Sequence, residues 1–288
     1  MAVFPAVAGP SALLGAVTNV PPSLAILVLL SGVVVALIYA YQPPLPQTLA
    51  FAFLPWVVTG SFLNLLASNG GYPSYLVPLL SGPGAYLTAL FVPGLAWAAM
   101  LNVSVSGRKL PAYHQYIGTM GAGVVVVLVP VMLLVVGARN LSLLLVLVVV
   151  PLVSLFCTGL IAIFVGYWSP DFVEYAAIAG GFAVFGALVN GISTTMSVAV
   201  NGQAALTPGG TLVRDVVLAS VPQGVAGLDV AQVWAAAFIL VNVAIGVLVA
   251  TQLARVANDR PRTVYGLLGL FGSVGFVLGF NQLLAVVV

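Results

Sequence analysis

Side chains that could move protons, ligate metals or attack a substrate are few in this chain and scattered. His114 is the only histidine and Cys157 the only cysteine. One of each cannot close an intrachain disulfide, hold a haem between two histidines, or build a zinc site of the usual His/Cys kind. His114 is read in a polar loop beside Arg108 and Lys109. Cys157, among Leu155, Phe156 and Leu160, is read as a small buried hydrophobe. Ser193 and Thr194 could act as nucleophiles in principle, but the sequence places no base within reach of either. There is no Walker loop, no GxGxxG after a strand, no GxSxG and no HExxH. No catalytic residue, metal or cofactor is therefore assigned.

Four of the five acidic residues read as helix starts. Ser169-Pro170 offers an N-cap with proline at the first helical position, followed by Asp171 and Glu174. Asp229 to Gln232 has capping-box spacing, and Asp259 with Pro261 plays a similar part. The fifth, Asp215, follows Arg214 in the stretch 211–219. Leu212, Val213, Val216 and Val217 share one helical face there, which predicts a short helix lying on the membrane surface. Arg214 and Asp215, being adjacent, are not expected to pair across a turn.

The elements that hold these residues follow from composition. Of 288 residues, 62% are hydrophobic and 4% charged, against about 25% charged in a soluble domain. Apolar runs of roughly 20 residues recur, continuous rather than alternating, so the spans are helices and not barrel strands. Eight are expected, at 24–41, 48–67, 85–105, 116–136, 141–166, 172–200, 230–254 and 263–287. The fold class is an all-α polytopic bundle forming one transmembrane domain over 1–288, with short interfacial helices on the outer side. A second such element is expected at 72–80. The start, 1–22, lacks lysine and arginine and holds four prolines, unlike a cleaved signal peptide. Pro55, Pro93, Pro130 and Pro151 fall inside spans and should kink them.

The connections after spans one, three, five and seven hold Arg108, Lys109, Arg255, Arg260 and Arg262, and the other side holds Arg139 and Arg214. The positive-inside rule then predicts a multi-pass cell-membrane protein with both termini outside. The net charge of +2 is dispersed and suggests no nucleic-acid partner.

Lipid gives no hydrophobic drive between spans, so small residues must let helices approach. Gly180, Gly181, Gly186 and Gly191 mark the sixth span. Asn242, Gly246, Ala250 and Ala254 mark the seventh, and Gly266, Gly269, Gly272, Gly275 and Gly279 the eighth. Asn242 is expected to hydrogen-bond across its seam. A short echo joins Gly60–Asn64 of the second span with Gly186–Asn190 of the sixth, and Asn69-Gly70 with Asn201-Gly202. A parallel repeat of 24–136 and 141–287 would produce it.

Polar residues gather toward the outer side. The candidate binding set is Asn64, Tyr72, Tyr86, Asn190, Ser193, Thr194, Gln203, Asn281 and Gln282, with Thr195, Tyr75 and Asn201 nearby. Two readings fit: an outer cavity for a lipid headgroup or small solute, or an interhelical hydrogen-bond network. None of these groups can carry a proton near neutral pH.

The chain resembles an archaeal membrane family catalogued as domain of unknown function 63, over nearly its whole length. The resemblance rests on Phe53-Leu-Pro-Trp56 with Gly60, on Pro78 through Thr88, on Asn190 through Thr194, and on the glycines and amide end of the eighth span. It implies a polytopic archaeal membrane protein. The family pattern has a histidine and an aspartate where this chain has Ala187 and Asn190, an acid near Gln203, and a histidine before an asparagine at Asn281 and Gln282. This chain would then be a divergent member without the family's titratable groups. The expected function is a non-catalytic accessory, structural or lipid-binding protein. The alternative is a transporter or channel for a small solute, and the third is an intramembrane lipid-modifying enzyme. Expected partners are membrane lipids, with other membrane subunits or further copies of the chain also compatible.

Overall fold

A computed structural model describes residues 21–41, 43, 45–105, 113–136, 145–201, 211, 213–216 and 230–287. Among the described residues there is no strand. The helices are α1 (Pro22–Tyr41), α2 (Leu49–Ser68), the single turn α3 (Val77–Leu80), α4 (Gly82–Val105), α5 (Tyr113–Val136), α6 (Val146–Trp168), a π-helical turn (Phe172–Ala176) running into α7 (Ala177–Asn201), α8 (Val230–Ala254) and α9 (Pro261–Val287). Among the described residues eight helices are long and apolar enough to cross a membrane, the π turn and α7 together making one of them. The chain is an integral membrane protein with an all-α polytopic fold.

Chain chemistry sets several ends. Pro22 and Pro261 open α1 and α9, where a missing N–H costs nothing. Helical structure before α7 starts at Pro170, as expected, with Asp171 and Glu174 exposed in the opening turns. Asp259 does not cap α9, because Arg260 directly precedes Pro261 and Asp259 belongs to the turn before it. Of the Asp229–Gln232 box, Asp229 lies outside the described residues, and Val230 opens α8. Helix α2 ends in a Schellman motif. Gly70 takes φ +73°, its N–H reaches Ala67 O at 3.2 Å, and Gly71 N–H reaches Leu66 O at 2.9 Å. The four expected prolines sit inside α2, α4, α5 and α6.

Helices α7 and α9 form the most extensive contact, α8 flanks α7, and α2 holds α4 and α5 while touching α9. Phe182, fully buried, meets Phe51 edge-on with ring centres 4.8 Å apart. The α7–α9 approach is backbone on backbone. A Cβ on Gly186 would overlap the Gly272 carbonyl, one on Gly275 would lie 2.8 Å from the Gly186 carbonyl carbon, and one on Gly279 would lie 2.7 Å from the Asn190 nitrogen. Gly246 meets Ala187 and Val184 in the α7–α8 seam. Gly266 departs from the expected stripe, with open space beside it.

Three further expectations are corrected. Cys157 is half-buried rather than buried, because Phe156 and Leu160 beside it face outward. His114 lies in the first turn of α5, not in a loop; Tyr113 stacks on Trp97 with centres 5.5 Å apart and draws the helix start inward. Arg214 does pair with its neighbour, its Nη2 lying 3.0 Å from Asp215 Oδ1, since the long side chain folds back. With Asp215 largely exposed, that pair contributes little.

Candidate functional site

The polar candidates divide into two networks. In the first, Tyr86 of α4 reaches across to α9 and α2. Its hydroxyl donates to Asn281 Oδ1 at 2.9 Å, Asn281 Nδ2 donates to that hydroxyl at 2.6 Å, and Ser61 Oγ lies 3.1 Å away. The ring lies flat on α2 because position 60 is glycine; a Cβ there would sit 2.7 Å from Tyr86 Cδ1. Asn64 serves the α3–α4 junction, where its Oδ1 accepts the Gly82 N–H at 2.6 Å. Gly82 has φ +51° there, a conformation suited to glycine.

In the second network Asn190 Nδ2 donates to Asn242 Oδ1 at 3.0 Å, Asn242 Nδ2 donates to Phe238 O at 2.9 Å, and Thr194 Oγ1 donates to Asn190 Oδ1 at 3.5 Å. The expected bond of Asn242 across its seam is present, a contact of about 0.6 kcal/mol in a bilayer. Ser193 and Ser197 are fully buried one turn apart, and neither hydroxyl has a hydrogen-bond partner. Gly279 of α9 rests on the backbone of Asn190, two residues before Asn281, so α9 touches both networks. Tyr72 packs half-buried against the core, and burial raises its pKa above the ordinary 10.0. Gln282 is half-buried, and Tyr75 is exposed. Gln203 lies outside the described residues. Asn190, Asn242 and Thr194 pair among themselves, as do Tyr86, Asn281 and Ser61, while Ser193 and Ser197 stay unpaired; the arrangement fixes helices without supplying an acid or base.

A third polar point was not among the sequence candidates. Gln47, in the turn before α2, donates from Nε2 to Tyr175 O at 3.1 Å and accepts the Ile178 N–H on Oε1 at 3.0 Å. Tyr265 Oη donates to the same Tyr175 carbonyl at 2.8 Å. The change from π to α hydrogen bonding disturbs the backbone ladder, and one side-chain amide serves a carbonyl and an N–H there. An uncharged glutamine among Pro43, Pro44 and Pro46 was the only signal. Replacing Gln47 with leucine should cost about 1 kcal/mol by taking the side-chain acceptor from the Ile178 N–H, while Tyr265 keeps the Tyr175 carbonyl paired. Hydrogen exchange at the Ile178 amide should accelerate, and unchanged protection would refute the strut.

An apolar groove of about 510 Å³ opens between α5 and α6, with α2 and α9 as its floor. Val58, Phe62, Val129, Met132, Leu152 and Phe276 are among its lining, which contains no polar side chain. Leu152 and Val148 stay exposed at the rim. None of the candidate polar residues lines it. Among the described residues no group of three or more His, Cys, Asp or Glu is placed to hold a metal ion. No family model, curated protein or solved structure matches the chain.

Proposed function

We propose that this integral membrane protein is non-catalytic and holds the hydrocarbon chain of a membrane lipid in the α5–α6 groove. The observation that carries the reading is the lining, apolar throughout on four helices. Water entering such a space finds no partners, whereas a lipid chain gains close packing on every wall. The volume falls in the range of small-molecule sites, about 300–1,000 Å³. From Leu54 to Phe62 the floor runs about 12 Å along α2, at 1.5 Å per residue. The mutual pairing of Asn190 with Asn242 and of Tyr86 with Asn281 supports a scaffold role for the polar groups. The excess of basic residues on one side supports termini outside, and the family resemblance supports an archaeal cell membrane.

The test fills the groove from its rim, with Val129→Trp and Leu152→Trp together. Wild-type protein purified in mild detergent should retain lipid in stoichiometric amount whatever its headgroup charge. The filled variant, with unchanged helicity, should lose most of it. Equal retention by both proteins would exclude the groove as the binding site.

A further inference from the structure

A second space, at the end of the bundle remote from the polar networks, has a different chemistry. It measures about 450 Å³ and lies between the last turns of α1 and the first turn of α9. Val35, Ile38 and Tyr39 form one wall, Pro43 and Leu45 close it, and Arg262 and Thr263 line the other side. We propose that it binds an anionic phospholipid, with the phosphate at Arg262 and Thr263 and a hydrocarbon chain along Val35 and Ile38.

Three observations converge on that ligand. The first is polarity graded with depth. Arg262 follows the first residue of α9, at the membrane boundary, while Val35 lies six residues before the end of α1, about 9 Å further in. A cation at the boundary above an apolar wall matches a lipid of the same leaflet, head and tail together. The second is charge. The turn joining α8 and α9 holds Arg255 and Arg260 against Asp259, Arg262 follows in the first turn of α9, and the positive end of the α9 dipole adds to this net positive segment. Guanidinium groups match phosphate oxygens in shape as well as sign. The third is access: Val35 and Tyr39 are exposed, so a lipid enters from the bilayer without parting the core. A free phosphate ion would use the cation and leave the wall idle.

The experiment uses the full chain in mild detergent and follows thermal unfolding. Added phosphatidylglycerol should raise the unfolding temperature clearly more than phosphatidylcholine with the same chains, which is served only by the groove between α5 and α6, and sodium phosphate alone should not raise it. Arg262→Gln, with unchanged helicity and measured against its own lipid-free unfolding temperature, should bind phosphatidylglycerol about fivefold more weakly. Val35→Trp, which fills the wall, should weaken it with Arg262 intact. Arg214→Gln, at the other end of the bundle, should change nothing. Equal stabilisation by phosphatidylcholine, full stabilisation by phosphate alone, or unaltered affinity in both site variants would overturn the proposal. The groove between α5 and α6 is indifferent to headgroup charge, so the two sites succeed or fail separately.

Discussion

Gly186→Val should abolish a folded, monodisperse protein, whereas Gly266→Val should behave as wild type. The two substitutions add the same atoms to helices of the same bundle. At position 186 the new Cβ overlaps the Gly272 carbonyl and falls 2.9 Å from the Gly272 Cα, so the conflict is with backbone. No rotamer relieves it, and α7 and α9 must separate along the largest helix–helix contact among the described residues. Overpacking a tight core costs about 1–3 kcal/mol and occasionally more; a backbone clash belongs at the upper end. Separation would also strain the Phe185–Phe276 stack, whose centres are 5.7 Å apart. At position 266 nothing lies within 4 Å of the added carbon. Gel filtration and thermal unfolding in detergent would compare them, and equal stability of the two variants would refute the seam.

Trp56→Ala should be the second most damaging change. Trp56 is 3% exposed and its indole donates to Ile117 O at 2.9 Å. The ring packs where α5 presents Gly121, at which a Cβ would lie 2.7 Å from Trp56 Nε1. Truncating a buried tryptophan costs about 3–5 kcal/mol in a soluble core. In a bilayer the transfer from water is missing and the lost packing remains, so about 3 kcal/mol is expected. Trp56→Phe keeps most of the packing and loses the bond, so it should cost about 1 kcal/mol. Unfolding in a denaturant series would measure both; an alanine variant no weaker than the phenylalanine one would show that packing at this site is slack.

The spans were legible because lipid demands long apolar runs, a coarse signal that tertiary contact does not blur. The seams were legible in part. A glycine every third residue walks around a helix of 3.6 residues per turn, so Gly266 lies roughly 120° away from Gly272 while Gly279 returns to within roughly 20°. Periodicity alone therefore credited Gly266 with a contact that it does not make. The amide pair was legible at Asn242, whose neighbours four residues apart were small, although the sequence could not name Asn190 as its partner. Gln47 was not legible, since its role depends on a π turn that no local pattern announces. The α5–α6 groove was equally hidden. Its lining residues, such as Val58 and Leu152, are those of any lipid-facing helix, and only the spacing of four helices makes a space between them. The start of α5 shifted for a similar reason, as Tyr113 stacks on a residue of α4.

The central claim is that lipid occupies the α5–α6 groove in preference to the rest of the apolar surface. Photo-crosslinking addresses it most directly. The chain is reconstituted with a phospholipid carrying a diazirine in its acyl chain, irradiated, digested, and the adducts are located by mass spectrometry. The account predicts adducts concentrated on groove residues such as Val58, Met132 and Leu152, and lost from them when Val129 and Leu152 are both tryptophan. Adducts spread evenly over exposed positions such as Leu29, Leu134 and Leu240, with no excess in the groove, would contradict it.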